Sequence, residues 1–105
     1  MNEDAIKKLR GLLGMANRAG KIASGSSAVE KALTAGKVCG LILAEDARSS
    51  TAKKYRALAE TAGIPLVVAL SRETMGQALG KDGERAAVAI LDAGFWGAMT
   101  KNIGE

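Results

Sequence analysis

The chain has 105 residues, a formal net charge of +4, no histidine, one cysteine and three aromatic residues, Tyr55, Phe95 and Trp96. That length holds one domain, expected to span residues 1–105, whose core of Ala, Leu, Val, Ile and Met needs neither disulfide nor metal. The missing imidazole excludes a histidine base, a Cys–His nucleophile pair and a zinc site, and no apolar run is long enough to span a membrane.

Catalysis through Lys, Asp or Glu stays open, but no cofactor and no metal is expected. Cys39 lies inside an apolar run and reads as a small buried hydrophobe, without an intrachain partner, in a reducing compartment. Met1-Asn2-Glu3-Asp4 lacks the basic then apolar pattern of a signal peptide, so a cytoplasmic protein is expected. The charge is uneven. Residues 1–61 carry 11 Lys/Arg against 6 Asp/Glu, whereas residues 62–105 carry 4 against 5. Such one-sidedness suits a polyanion partner, although solvated helix faces share it.

Ile6, Leu9, Leu12, Leu13 and Ala16 recur at helical spacing and predict an amphipathic helix over residues 3–18, stopped by Gly20. A short extended piece, Lys21 to Ser24, leads to the turn Gly25-Ser26-Ser27 and a helix over residues 28–35 that ends at Gly36. Two readings of this turn compete. Ser27-Ala28-Val29-Glu30 fits a capping box, with Ser27 accepting from the first turn and Glu30 reaching back. Alternatively, a glycine and two small hydroxyl residues leave backbone N–H groups and the positive dipole end open to a phosphate, with Lys31 nearby.

Val38 to Ala44 has no polar alternation and predicts a strand covered on both faces, ending in Glu45-Asp46. That acidic pair is expected to order the loop or to hold Lys31 and Arg48 by charge. The turn Ala47 to Ser50 supplies an N-cap for a helix over residues 51–62, stopped by Gly63 and Pro65. On it, Lys53, Lys54 and Arg56 read as a solvated face available for non-specific attraction. Leu66 to Leu70 reads as another buried strand, Ser71 caps a short helix to Leu79, and Gly80 closes it. The loop Lys81 to Arg85 precedes a buried strand, Ala86 to Leu91. Asp92 then caps a last helix, in which Phe95 and Trp96 are expected to anchor the core beside Met99 and Ile103.

Helices alternating with doubly covered strands imply an α/β fold, a three-layer α/β/α sandwich with a mixed sheet of about four strands. Ligands in such sheets gather where strand ends meet helix starts. If the Lys81 to Arg85 loop folds to that edge, Lys31, Arg48, Arg72, Lys81 and Arg85 converge on one rim with Gly25, Ser26 and Ser27.

Four segments in order, Gly25-Ser26-Ser27-Ala28-Val29-Glu30-Lys31-Ala32, Leu43-Ala44-Glu45-Asp46-Ala47, Gly63-Ile64-Pro65 and Met75-Gly76-Gln77-Ala78-Leu79-Gly80, resemble the kink-turn-binding family of ribosomal proteins. Leu12-Leu13-Gly14-Met15-Ala16-Asn17-Arg18-Ala19-Gly20-Lys21 is similar to its bacterial YlxQ-like branch. The resemblance implies an α/β/α protein that binds RNA, typically a kink-turn with sheared G·A pairs, through the helix that opens after the glycine. By that likeness Gly25 matches the family glycine and Lys31 its base-reading lysine. Ser27 and Ala28 stand where the family has an Asn-Glu pair, so fewer groups are offered to purine edges. Arg72 and the Lys81 to Arg85 loop match further RNA-contacting positions.

The expected protein is a non-enzymatic, ribosomal or ribosome-associated RNA-binding monomer that contacts no membrane. Two alternatives stand beside it. One is a substrate-RNA module like those attached to RNA methyltransferases, and the other is a binder of a small phosphorylated ligand at the same helix start.

Overall fold

The computed structural model describes residues 1–80 and 83–103. Helix α1 spans Glu3–Arg18, and the Asn2 side chain caps it by accepting from the Ala5 N–H at 2.8 Å. There follow β1 (Ile22–Ser24), α2 (Ser26–Thr34), β2 (Gly40–Leu43) and α3 (Ser49–Ala62). The described chain closes with β3 (Leu66–Val68), α4 (Arg72–Ala78), β4 (Ala87–Ile90) and α5 (Ala93–Ile103).

The strands form one sheet in the order β1-β4-β2-β3. β2 runs parallel to β3, whereas β4 is antiparallel to both β1 and β2. The sheet is therefore mixed, as expected. Both faces of β2 and β4 are buried, and successive residues point to opposite sides. Ile42, Val88 and Ile90 meet Leu9, Leu13, Met75 and Met99 from α1, α4 and α5 in one core. Leu41, Leu43, Ala87 and Ala89 meet Val29, Tyr55 and Ala59 from α2 and α3 in the other. The alanines of β4 on that second side leave room for the only tyrosine of the chain.

Two caps follow the sequence closely. The Ser71 hydroxyl accepts from the Thr74 N–H at 3.1 Å, and the Asp92 carboxylate accepts from the Phe95 N–H at 2.9 Å. Phe95 and Trp96 are half-buried against the first core, and the indole of Trp96 lies directly over Gly40, where a Cβ would collide with it.

Other expectations need correction. The strand expected over Leu66 to Leu70 stops at Val68 and is only half-buried, with Val68 exposed, because β3 lies at the sheet edge with one neighbour. Beyond it Leu70 is buried and holds φ 67, which turns the chain into the α4 cap. Cys39 is half-buried rather than buried, since it precedes the covered part of β2. Helices α2 and α3 each begin two residues earlier than their hydrophobic spacing indicates, with consequences for the site.

Candidate functional site

β1 passes into α2 through Gly25 alone, which takes φ 90 and ψ 147. A residue with a Cβ is strained there, and among the described residues nothing beyond its chain neighbours lies within 4 Å of where that Cβ would stand. The glycine therefore serves the backbone turn, not internal packing. Since Gly25 occupies the N-cap position and makes no side-chain cap bond, Ser27 falls inside the first turn. The expected capping box does not form. Glu30 turns instead to α3, where its carboxylate lies 3.2 Å from the Lys54 ammonium. Val29 donates to the Gly25 carbonyl at 3.0 Å, and the N–H groups of Ser26, Ser27 and Ala28 are the unpaired donors that begin any helix.

The start of α3 repeats the arrangement. Arg48 holds its N-cap position with extended backbone and gives no side-chain cap bond. The N-cap therefore comes from the expected turn, Ala47 to Ser50, but Ser49 and Ser50 lie inside the helix, because the polar turn is shorter than the sequence spacing indicates. Thus, among the described residues, neither helix start takes a cap bond from its own N-cap side chain.

Both starts open on one cleft of about 420 Å³, lined by Gly25 and Ser26 from the first, by Ser50, Thr51, Lys54 and Tyr55 from the second, and by Glu84 to Ala87. Two helix N-termini with free N–H groups, joined by Lys54 and Arg85, make an electropositive recess that suits phosphate oxygens. The Arg85 guanidinium donates to the Glu84 carbonyl at 2.8 Å, which fixes its base near the opening.

Behind this wall stands a clamp. The Arg72 N–H donates to the Asp46 carboxylate at 2.8 Å, and the Arg72 guanidinium lies 3.5 Å from Asp46 and 3.4 Å from Glu84. The Arg72 carbonyl accepts from the Arg85 N–H at 3.0 Å. Its Nε is buried without hydrogen-bond geometry, so the attraction to Asp46 on that side is one of charge alone. The Arg72 backbone N–H, helped by the backbone N–H of Asp46 itself and by the Arg72 guanidinium, holds the Asp46 carboxyl below its ordinary range despite the opposing effect of desolvation. Asp46 therefore organises Arg72 and the chain around Arg85. Of the two roles expected of the acidic pair, Asp46 takes that of ordering the loops; among the described residues its partner is Arg72, not Lys31 or Arg48.

Of the expected site residues, Gly25, Ser26 and Arg85 line the cleft, Ser27 follows in the same helix turn, and Arg48 heads α3. Arg72 is turned into the clamp. Lys31 is exposed in the last turn of α2, away from the cleft lining. Lys81 lies outside the described residues. Lys54, read from sequence as a solvated face, instead belongs to the cleft. A signal for it was present: Ser50 precedes Lys54 by the same four positions that separate Ser27 from Lys31. Among the described residues no group of His, Cys, Asp and Glu could hold a metal ion, and no helix is long and apolar enough to cross a membrane.

Residues 7–99 match the model of the ribosomal protein L7Ae/L30e/S12e/Gadd45 family. The RNA-binding protein YlxQ of Bacillus subtilis is 39% identical over 84 residues, covering 80% of this chain and 83% of its own. The large ribosomal subunit protein eL8 of Nitrosopumilus maritimus is 30% identical over 93 residues, covering 88% and 73%. Among solved structures, a Bacillus halodurans protein of unknown function superposes with a TM-score of 0.83 at 36% identity, covering 91% of this chain and 96% of its own. The Giardia lamblia 15.5kD RNA binding protein shares the fold, with a TM-score of 0.75 at 20% identity over 98% and 88% of the two chains.

Proposed function

The chain belongs to the ribosomal protein L7Ae/L30e/S12e/Gadd45 family, its bacterial YlxQ branch included, and from that premise we propose that it is a non-enzymatic protein that binds structured, kink-turn-like RNA. The observation that carries this reading is the meeting of two uncapped helix starts, Lys54 and Arg85 at one cleft. The RNA backbone sets its phosphates against the N–H groups of Ser26 and Ser27 and of the α3 start, and Lys54 and Arg85 neutralise them. Gly25 lets the backbone approach closely. Lys31, further along α2, faces the groove that the helix start enters, and Arg48 and Lys81 extend the positive rim.

Arg72 acts at one remove, by holding Glu84 and the chain around Arg85 in place. Base readout is thin, because Ser27 offers one short hydroxyl and Ala28 offers nothing. Affinity therefore rests mainly on phosphates, and its salt dependence is steep. The names of the YlxQ and eL8 relatives support an RNA partner and a ribosomal or ribosome-associated, cytoplasmic setting, in which the protein acts as a monomer of one domain.

The test is direct titration of a kink-turn RNA with the wild type and with Arg85→Ala, Lys31→Ala and Lys53→Ala. The first two substitutions weaken binding and flatten the salt dependence, each by about one unit of slope, whereas Lys53→Ala changes little. Equal losses for all three overturn the site. Tight binding of a mononucleotide without any binding of RNA would instead identify the cleft as a small phosphorylated-ligand site.

A further inference from the structure

We propose that the outward face of α1 is a second phosphate-binding surface, which holds a duplex arm of the same RNA whose folded part occupies the cleft; this rests on the RNA-binding reading above. At 3.6 residues per turn, Lys7, Gly11 and Arg18 fall within about 40° of one another around the helix. They point away from the buried stripe of Leu9, Leu13 and Ala16. Lys8 and Arg10 flank that line on either side. All four cations are exposed, and none is ion-paired among the described residues. At the cleft, by contrast, Lys54 is paired with Glu30, and behind its wall Arg72 is paired with Asp46 and Glu84. Glu3 and Asp4 sit in the first turn, where they complement the helix dipole, and leave the face with four cations against two acids.

Charge and shape together select the occupant. From Lys7 to Arg18 the helix rises about 16 Å, a span that covers several successive phosphates of a duplex strand. Midway, Gly11 has, among the described residues, nothing outside its own stretch of helix backbone within 4 Å of where a Cβ would stand. Internal packing therefore does not account for a residue that disfavours the helix interior, and its bare backbone lets a sugar-phosphate chain lie between the cations. A lipid surface fits poorly, because the apolar stripe of α1 is spent inside the core.

The side chains that α1 buries lie in one core and those of α2 and α3 in the other, so this face and the α2–α3 side are separated by the sheet. The molecule measures 33 Å along its longest axis, about one turn of a duplex. One bent RNA can therefore touch both.

The experiment compares Lys7→Glu/Arg18→Glu with Lys53→Glu/Arg56→Glu, a change of equal charge on the exposed part of α3, against a kink-turn RNA with arms of about two duplex turns and the same RNA with trimmed arms. Circular dichroism verifies that each variant is folded. The α1 variant is expected to lose about tenfold or more in affinity for the long RNA and about two units of salt slope, and to match the α3 variant on the trimmed RNA. Equal losses for the two variants on the long RNA, or equal loss of the α1 variant on both RNAs, overturn the proposal. So does a loss confined to binding of vesicles containing anionic lipid. If Arg85→Ala weakens binding while the α1 variant behaves like its control, only this inference fails; if the wild type binds neither RNA, the reading beneath it fails first.

Discussion

The Lys54 ammonium lies 3.2 Å from the Glu30 carboxylate and ties α3 to α2 beside the cleft that their helix starts share. The two side chains are 44% and 49% exposed, so solvent screens the pair and its contribution to stability is well under about 1 kcal/mol. Its larger effect is on the charge offered to a ligand. Paired with Glu30, Lys54 presents less positive potential than its position would allow. Glu30→Gln should therefore strengthen RNA binding several-fold at low salt, with the gain shrinking as salt is added, while the unfolding midpoint in urea stays nearly constant. A filter-binding series across ionic strength, set beside a urea melt, measures both quantities.

Asp46 makes the clamp sensitive to acid. Its ordinary pKa of 3.8 is lowered in the folded protein by the Arg72 N–H and guanidinium. A carboxyl depressed on folding adds stability that is fully present above its unfolded pKa and is lost as pH falls through the folded one. Stability of the wild type should accordingly decline as pH drops below about 4, and Asp46→Asn should show a flatter decline over that window while being less stable at neutral pH. Urea melts at several pH values compare the two slopes. Identical pH profiles for the two proteins would show that the carboxylate is not coupled to folding.

Gly40 and Trp96 are fitted to each other, because the indole occupies the space that any Cβ on Gly40 would need. Crowding a packed core in this way costs about 1–3 kcal/mol. Gly40→Ala should therefore lower the stability of the whole fold by about that amount. Trp96→Leu, which empties the space, should cost stability alone yet make the Gly40→Ala substitution nearly neutral in the double variant. A double-mutant cycle in chemical denaturation reads this coupling, and strict additivity of the two losses would sink it.

The layered sandwich was legible because apolar runs and helical stripes are global patterns that many residues repeat. Ile42 and Leu43, for example, face opposite cores, and no polar residue interrupts them. The caps at Ser71 and Asp92 were legible because each is a local side-chain bond written in a few residues. Less legible were the starts of α2 and α3. There the backbone continues helically past the serines that propensity marks as caps, since tertiary packing sets where a helix begins. The partner of Asp46 was hidden for a related reason: Arg72 lies 26 residues away, and only the parallel pairing of β2 with β3 brings the following loops side by side. Lys54 was missed because an exposed helical lysine reads as solvated, and the Ser50–Lys54 spacing that matches Ser27–Lys31 gains meaning only once the cleft brings the two helix starts together.

The departure at Ser27 and Ala28 can be tested by reversing it. By the family resemblance these positions carry Asn and Glu, whose amide and carboxylate can bond to purine edges, and both residues lie exposed in the first turn of α2 beside the cleft. Ser27→Asn/Ala28→Glu should thus add base contacts without disturbing the core, and each good contact is worth about 1–3 kcal/mol. The double variant is expected to bind a kink-turn RNA about ten- to a hundredfold more tightly than the wild type. It should gain nothing toward an RNA whose sheared G·A pairs are replaced by Watson–Crick pairs, because the new carboxylate then meets no free purine edge and repels phosphate. A uniform loss toward both RNAs would mean that α2 does not enter the groove at its N-terminal turn. A uniform gain would mean that the contacts formed are not base-specific.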